Sequence, residues 1–287
     1  MDLRGHVIAL ADDIALVSEL TEILDRAHGL DISCYSDAFL ARSCARRWQA
    51  MAGMTCANYL LLLGRDRHEA ESFVQLLHIH HSEFFRDPFV FATLEHRLLP
   101  GLAKEKASSH YPEIRVWSAG CAAGEEAYSI AILLSELCDG WEVPVRFRLF
   151  ATDSSDEQLR LACLGSYPAS VMSNVQKRHM ERWFSCHGDA YLVDPELRRQ
   201  VDFSLHSLFG EHSVAPSTSI FGGFDVILCC NVLFYYRPEY QQRILDKLRR
   251  CLAPGGYLVT GEAEREIVQA AGFQPLVLSA AIFRAVR

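Results

Sequence analysis

The chain has 287 residues, half of them apolar, enough for one large domain or two smaller ones around a substantial core. Its formal net charge of -8 argues against nucleic acid, which demands a basic face. No apolar run reaches membrane-spanning length, the first twenty residues carry acids rather than a basic leader, and the ten cysteines are scattered without a Cys-x-x-Cys pair. That pattern suits reduced thiols in a cytoplasmic protein better than a disulfide framework.

Leu16, Val17, Leu20, Ile23, Leu24 and Ala27 recur at helical spacing, and Gly29 stops that helix. Residues 36–51, 55–63 and 69–78 read as three further helices, together a small bundle. A helix around 89–99 and a polar link over 104–112 join it to the remainder, so the expected division is a helical domain over 1–103 and a second domain over 104–287. Charge is uneven in the bundle: Arg42, Arg46, Arg47, Arg65 and Arg67 face a single acid, Asp66, between residues 40 and 67. Arg42 and Arg46 lie one helical turn apart, and a basic face on an acidic protein suits an acidic partner or is simply a solvated surface. His78, His80 and His81 do not read as a metal site, because no acid or cysteine completes a set and adjacent histidines point apart.

The most informative stretch follows. A strand over 114–118 runs into a turn with Gly120 and Gly124, and the turn runs into an amphipathic helix over 125–138. A second strand over 146–152 ends at Asp153, where a carboxylate can accept hydrogen bonds from both ribose hydroxyls. The alternative for Asp153 is a helix N-cap, a role Ser154 or Ser155 can take instead. Tyr167-Pro168 opens an insert over about 168–200, with Gly188-Asp189 turning the chain between two extended segments. A buried strand over 224–229 leads into Cys230-Asn231-Val232-Leu233-Phe234-Tyr235-Tyr236. Pro238 then starts a helix that runs to Cys251, and a last strand spans 257–260. Strands alternating with helices predict an α/β fold with a doubly wound parallel sheet, and Gly120, Asp153 and Asn231 all fall at strand carboxyl ends, where such sheets bind ligands. The Gly-x-x-x-Gly spacing and the acidic helix start at Glu125 and Glu126 speak against a dinucleotide pyrophosphate, and hence against a nucleotide-dependent oxidoreductase. They do not repel S-adenosylmethionine (SAM), with its cationic centre and amino group.

Several segments together resemble the CheR family of chemotaxis receptor methyltransferases: residues 116–130, Ala151-Thr152-Asp153, Asn231-Val232-Leu233-Phe234-Tyr235, Leu252-Ala253-Pro254-Gly255-Gly256 and, upstream, His80-His81-Ser82-Glu83-Phe84-Phe85-Arg86. The resemblance covers roughly residues 16–286. It implies a SAM-methyltransferase sheet with an N-terminal helical domain and a small antiparallel β insert, which grips a receptor tail in some members. It implies SAM as cofactor, S-adenosylhomocysteine as product, and methyl transfer to glutamate side chains on the cytoplasmic helices of methyl-accepting chemotaxis proteins, with no metal. By the same resemblance His80, Ser82, Arg86, Ala119, Gly120, Glu125, Asp153, Ser207, Leu208, Cys230 and Asn231 line the cofactor. Arg86 lies beside the reacting carboxylate, and Arg42, Arg46 and Arg47 meet the receptor. The Tyr235 hydroxyl is the other candidate to orient that carboxylate, the alternative being an aromatic ring packed at a strand end. The sequence departs from the family pattern at His80 and Ser207 (usually asparagine), at Cys230 (often arginine) and at Gly261-Glu262-Ala263-Glu264 (usually Gly-His-Ser-Glu). These departures keep open a SAM-binding regulatory module that transfers no methyl group.

Overall fold

The computed structural model describes residues 3–78, 82–110, 112–140, 145–210, 214–219 and 223–285, with side chains from Ile14 onward. The chain divides into two compact units, Met1–Ile79 with Phe234–Tyr240, and His80–Leu233 with Gln241–Arg287.

The first unit holds α1 (Leu3–His28), α2 (Asp37–Gln49), α3 (Cys56–Arg65) and α4 (Arg67–Leu77). Gly29, at φ +67, stops α1 as expected. Thr55 caps α3 by accepting from the Asn58 N–H, and Asp66 caps α4 by accepting from His68 and Glu69, so a single residue turns one helix into the next. The helical spacing of Leu20, Leu24, Leu40, Leu63 and Phe73 places all five inside the bundle. The segment Phe234–Tyr240 completes this core: the Tyr236 ring stacks on Tyr35 at 5.3 Å and Tyr235 packs on Phe39 at 5.0 Å. Arg237 fixes it by an ion pair to Asp37 at 2.8 Å.

The second unit begins with α5 (Pro88–Thr93), a π-helical turn (Leu94–Leu98) and α6 (Leu99–Ala107). These helices, read from sequence as the end of the first domain, lie in the second because α6 buries Leu99, Leu102 and Ala103 against the sheet layer. The helix also runs on through the first part of the expected polar link, where Lys106 pairs with Asp225 at 2.8 Å.

There follow β1 (Glu113–Ala119), α7 (Glu125–Gly140), β2 (Arg146–Asp153), α8 (Asp156–Leu164), β3 (Ser166–Pro168), α9 (Lys177–Trp183), β4 (Phe184–His187), β5 (Ala190–Val193), α10 (Pro195–Arg198), β6 (Val201–Leu205), β7 (Phe224–Cys229), α11 (Pro238–Cys251), β8 (Leu252–Thr260), α12 (Arg265–Ala270), β9 (Phe273–Pro275) and β10 (Ile282–Ala285). Seven strands form one sheet in the order β6-β2-β1-β7-β8-β10-β9. The first five in that order are parallel; β10 and β9 close the edge antiparallel. The order reverses between β1 and β7, which opens a crevice at their carboxyl ends. The insert is a three-stranded antiparallel sheet, β3-β5-β4, turned at Gly188 with φ +62, as the Gly-Asp pair predicts. The Phe84 ring anchors it edge-on against Tyr167 at 4.8 Å and Phe184 at 5.2 Å. No helix among the described residues is long and apolar enough to cross a membrane, and the ten cysteines are free thiols.

Candidate functional site

The turn after β1 is built around two glycines. Gly120 and Cys121 donate their N–H groups to the Thr152 carbonyl at 2.8 and 2.9 Å, drawing the turn onto the end of β2. Gly120 has φ +78, and a Cβ there would fall 2.9 Å from Val232 Cγ2. Gly124 has φ +97, with a Cβ position 2.9 Å from Ala162 Cβ and 3.1 Å from the Tyr167 hydroxyl. Gly124→Ala is therefore expected to lower stability by about 1–3 kcal/mol through overpacking and backbone strain, a shift that thermal unfolding reads directly.

Asp153 sits where β2 ends. Its Oδ2 accepts from the Ala122 N–H at 2.9 Å and its Oδ1 from the Ser155 N–H at 2.9 Å. The Ser155 hydroxyl caps α8 by accepting from Gln158, so Asp153 is not the cap. Instead it staples the glycine turn to the strand end and keeps further lone pairs for a ligand, since each carboxylate oxygen accepts two hydrogen bonds.

Glu125 opens α7 and is buried, while Ala119 is enclosed in β1 with its methyl in the core. Glu126 is half-buried and accepts from the Ser118 hydroxyl at 2.6 Å and from the main chain and thiol of Cys230. Burial pushes its carboxyl up, against the pull of those hydrogen bonds and of the Arg86 charge. Burial, then Glu126, pushes the Cys230 thiol well above its ordinary range, so Cys230 sits here as a neutral donor. Arg86 is exposed and follows Phe85, which holds φ +49 by donating its N–H to Ser129 Oγ at 2.9 Å and by stacking on the His179 ring at 5.2 Å. Ser82 is half-buried; His80 lies outside the described residues.

Asn231 follows β7 in the left-handed region, at φ +61. On the other flank the His206 N–H bonds the Asp153 carbonyl at 3.0 Å, bringing Ser207 and Leu208 next in line. Ser207 is exposed, with its hydroxyl accepting from the Phe209 N–H; Leu208 is half-buried. Sequence reasoning missed Lys247, which is buried and clamps this loop through the Ser207 and Gly210 carbonyls at 3.2 and 2.9 Å. It also missed Glu264, whose carboxylate receives main-chain N–H groups from the Asn231 loop. Only the family-pattern segment 261–264 hinted at it.

Tyr235 belongs to the helical unit, where its ring packs between Phe39 and Phe234. Arg42 and Arg46 are exposed on α2. Arg47 is a correction to the basic face read from sequence. Its guanidinium binds Glu69 bidentately, both contacts at 2.8 Å, and Tyr59 donates to the same carboxylate at 2.9 Å. Those bonds hold the Glu69 carboxyl below its ordinary range. Arg47 is thus committed inside the bundle.

Among the described residues, Glu95, Glu136 and His179 bring potential metal-ligand atoms within 4.8 Å of one another. Arg178 pairs with both carboxylates, and Trp183 donates to Glu136 at 3.2 Å. The cluster is an ion-pair network tying α9 to α7.

The family model of the CheR methyltransferase SAM-binding domain matches residues 80–278. An uncharacterized 104.1 kDa protein of Rhodobacter capsulatus is 30% identical over 271 residues, 94% of this chain but 28% of that protein's length. The chemotaxis protein methyltransferase of Listeria innocua is 29% identical over 246 residues, 85% of this chain and 88% of that protein. That of Escherichia coli is 29% identical over 263 residues, 90% of this chain and 86% of that protein.

Proposed function

The chain belongs to the CheR methyltransferase family, and from that membership we propose that it is a protein-glutamate O-methyltransferase acting on the cytoplasmic helices of chemoreceptors. Two of the relatives above are named chemotaxis protein methyltransferases, which supports a receptor substrate. The observation that carries the reading is the meeting of three strand ends: the Gly120 turn, Asp153 and Asn231 lie at the carboxyl ends of the neighbouring parallel strands β1, β2 and β7, and the turn is bonded to Thr152 and Asp153. The residues fit SAM. Asp153, already bonded to two main-chain N–H groups, keeps acceptor capacity for ribose hydroxyls, and the glycine turn beside it leaves its backbone free of side chains.

When bound, SAM supplies a methyl group on a sulfonium centre, a leaving group that needs no general acid. The protein's task is placement. Asp153 and Asn231 hold the ligand at the strand ends, with Ser82, Leu208 and Ser207 as further contacts. Arg86 pairs with the substrate glutamate, keeps it ionised and aims one oxygen. Cys230 takes the place of the arginine common in the family, so the positive charge near Glu126 comes from Arg86.

The test is transfer of labelled methyl groups to receptor-bearing membranes, with release of the label as methanol in base, the signature of a glutamyl methyl ester. Binding of S-adenosylhomocysteine without any transfer would make the protein a SAM-binding module instead. Arg86→Ala is expected to slow transfer about tenfold or more while S-adenosylhomocysteine still binds and the protein stays folded. Normal transfer by that variant would reduce the Phe-Phe-Arg segment to a structural joint.

A further inference from the structure

We propose that Glu264 is the positioning residue of the cofactor site, acting with Gly261 to hold the loop 230–233 in the left-handed turn that presents Asn231. This rests on the methyltransferase reading above. The Glu264 side chain is fully enclosed, with 0% of its surface exposed. Its Oε2 accepts from the Asn231 N–H and the Gly261 N–H, each at 2.8 Å, and its Oε1 from the Leu233 N–H at 2.6 Å. Val232 adds a fourth main-chain donor. A buried carboxylate is costly unless hydrogen bonds satisfy it, and here three consecutive amides of one loop do so.

The Gly261 bond is local: Glu264 reaches back from the short helical turn Glu262–Glu264 to the N–H of the residue that opens it, while the Glu264 N–H bonds the Gly261 carbonyl at 3.0 Å. The bonds to residues 231–233 are not; they reach across to the end of β7. Asn231 needs such a hold, because a non-glycine residue at φ +61 persists only where its surroundings dictate it. Gly261 fits the other end of the same residue. A Cβ at Gly261 would fall 2.5 Å from Asn231 Nδ2, so the amide lies directly on the glycine backbone. Glu264 fixes the main chain of Asn231, and the missing Cβ seats its side chain. The same loop places Val232 against Gly120, so it also sets the wall facing the glycine turn.

Burial pushes the Glu264 carboxyl up to about 7, against the N–H bonds that hold it down. The titratable groups beside it are the Cys229 and Cys230 thiols, both pushed well above their ordinary range and neutral, with Glu126 beyond Cys230, its carboxyl also pushed up. Protonation below pH 7 removes the charge that four N–H groups share.

The experiment is calorimetric titration of the full chain with S-adenosylhomocysteine from pH 6 to 8, without receptor, alongside amide hydrogen exchange of residues 231–233. The unmutated protein is expected to bind more tightly as pH rises through 7. Glu264→Gln keeps the shape but turns an NH2 toward N–H donors. It is expected to bind about tenfold more weakly at pH 8, to lose the pH step and to exchange faster at residues 231–233. A variant that only unfolds earlier, with affinity, pH step and exchange at residues 231–233 unchanged, overturns the proposal. Should Glu264→Gln fail to fold, Gly261→Ala displaces the Asn231 amide and leaves the carboxylate intact. It too is expected to weaken binding about tenfold, and wild-type affinity would overturn the proposal. Normal binding by the variants leaves the methyltransferase reading standing; absence of binding by the unmutated protein defeats both.

Discussion

Asp153→Ala is expected to weaken SAM and S-adenosylhomocysteine binding by about 1.5–3 kcal/mol, ten- to a hundredfold, the range for hydrogen bonds to a charged group. Two losses combine. The ribose hydroxyls lose their acceptor, and the Ala122 N–H, bonded to Oδ2 at 2.9 Å, loses the staple that shapes the glycine turn. Asn is no conservative replacement here. Both carboxylate oxygens already accept main-chain N–H groups, from Ala122 and Ser155, so an amide must turn its own NH2 toward one of them. Asp153→Asn should therefore approach the alanine variant in affinity. Ser155→Ala separates the roles: it removes the α8 cap, costs about 1 kcal/mol of stability and leaves affinity in place. Calorimetry with each variant checks the ordering. Wild-type affinity in a folded Asp153→Ala protein would leave Asp153 as a staple and move ribose recognition elsewhere.

What the sequence revealed follows from how far each interaction reaches. The strand Phe224–Cys229 is legible because Val226–Cys229 is an unbroken apolar run, as expected of a parallel strand covered on both faces, and all six of its residues are buried. The helix Pro238–Cys251 is legible from proline at its start and a regular apolar stripe. The strand Val201–Leu205 is not, because it lies at the sheet edge, pairs only with β2 and mixes Asp202 and Ser204 into its pattern. The helix around 89–99 is legible as a helix, but neither its continuation to Ala107 nor its place in the sheet unit is, since both depend on what Leu99 and Leu102 pack against. The site shows the same limit. Gly120, Asp153 and Asn231 declare themselves by position at strand ends. Glu264 bonds Asn231 from 33 residues away, and Arg47 finds Glu69 across 22 residues. Counting charges along a helix cannot tell a solvated arginine from one already paired.

Reversing Arg42 and Arg46 to glutamate is expected to cut methylation of intact receptor by about ten- to a hundredfold at low salt, the scale of electrostatic steering. An enzyme of net charge -8 approaching helices rich in glutamate is repelled unless a local basic face overrides its overall field. Arg42 and Arg46 are exposed on α2, one turn apart, and can supply that face. Arg47 must be left alone. Its reversal would set glutamate against the enclosed Glu69 and break the bundle from inside, a stability effect that would masquerade as lost docking. The double reversal should leave S-adenosylhomocysteine affinity untouched, because Asp153 and Asn231 lie in the other compact unit. Salt gives an independent check. Exposed charges reach only about 8–10 Å at physiological ionic strength, so raising salt should slow the unmutated enzyme and narrow its gap from the variant. If receptor methylation and its salt dependence survive the reversal, the two arginines are a solvated face. Docking must then be sought on the antiparallel insert, whose outer strand Phe184–His187 pairs on one side only and leaves main-chain groups for an added strand.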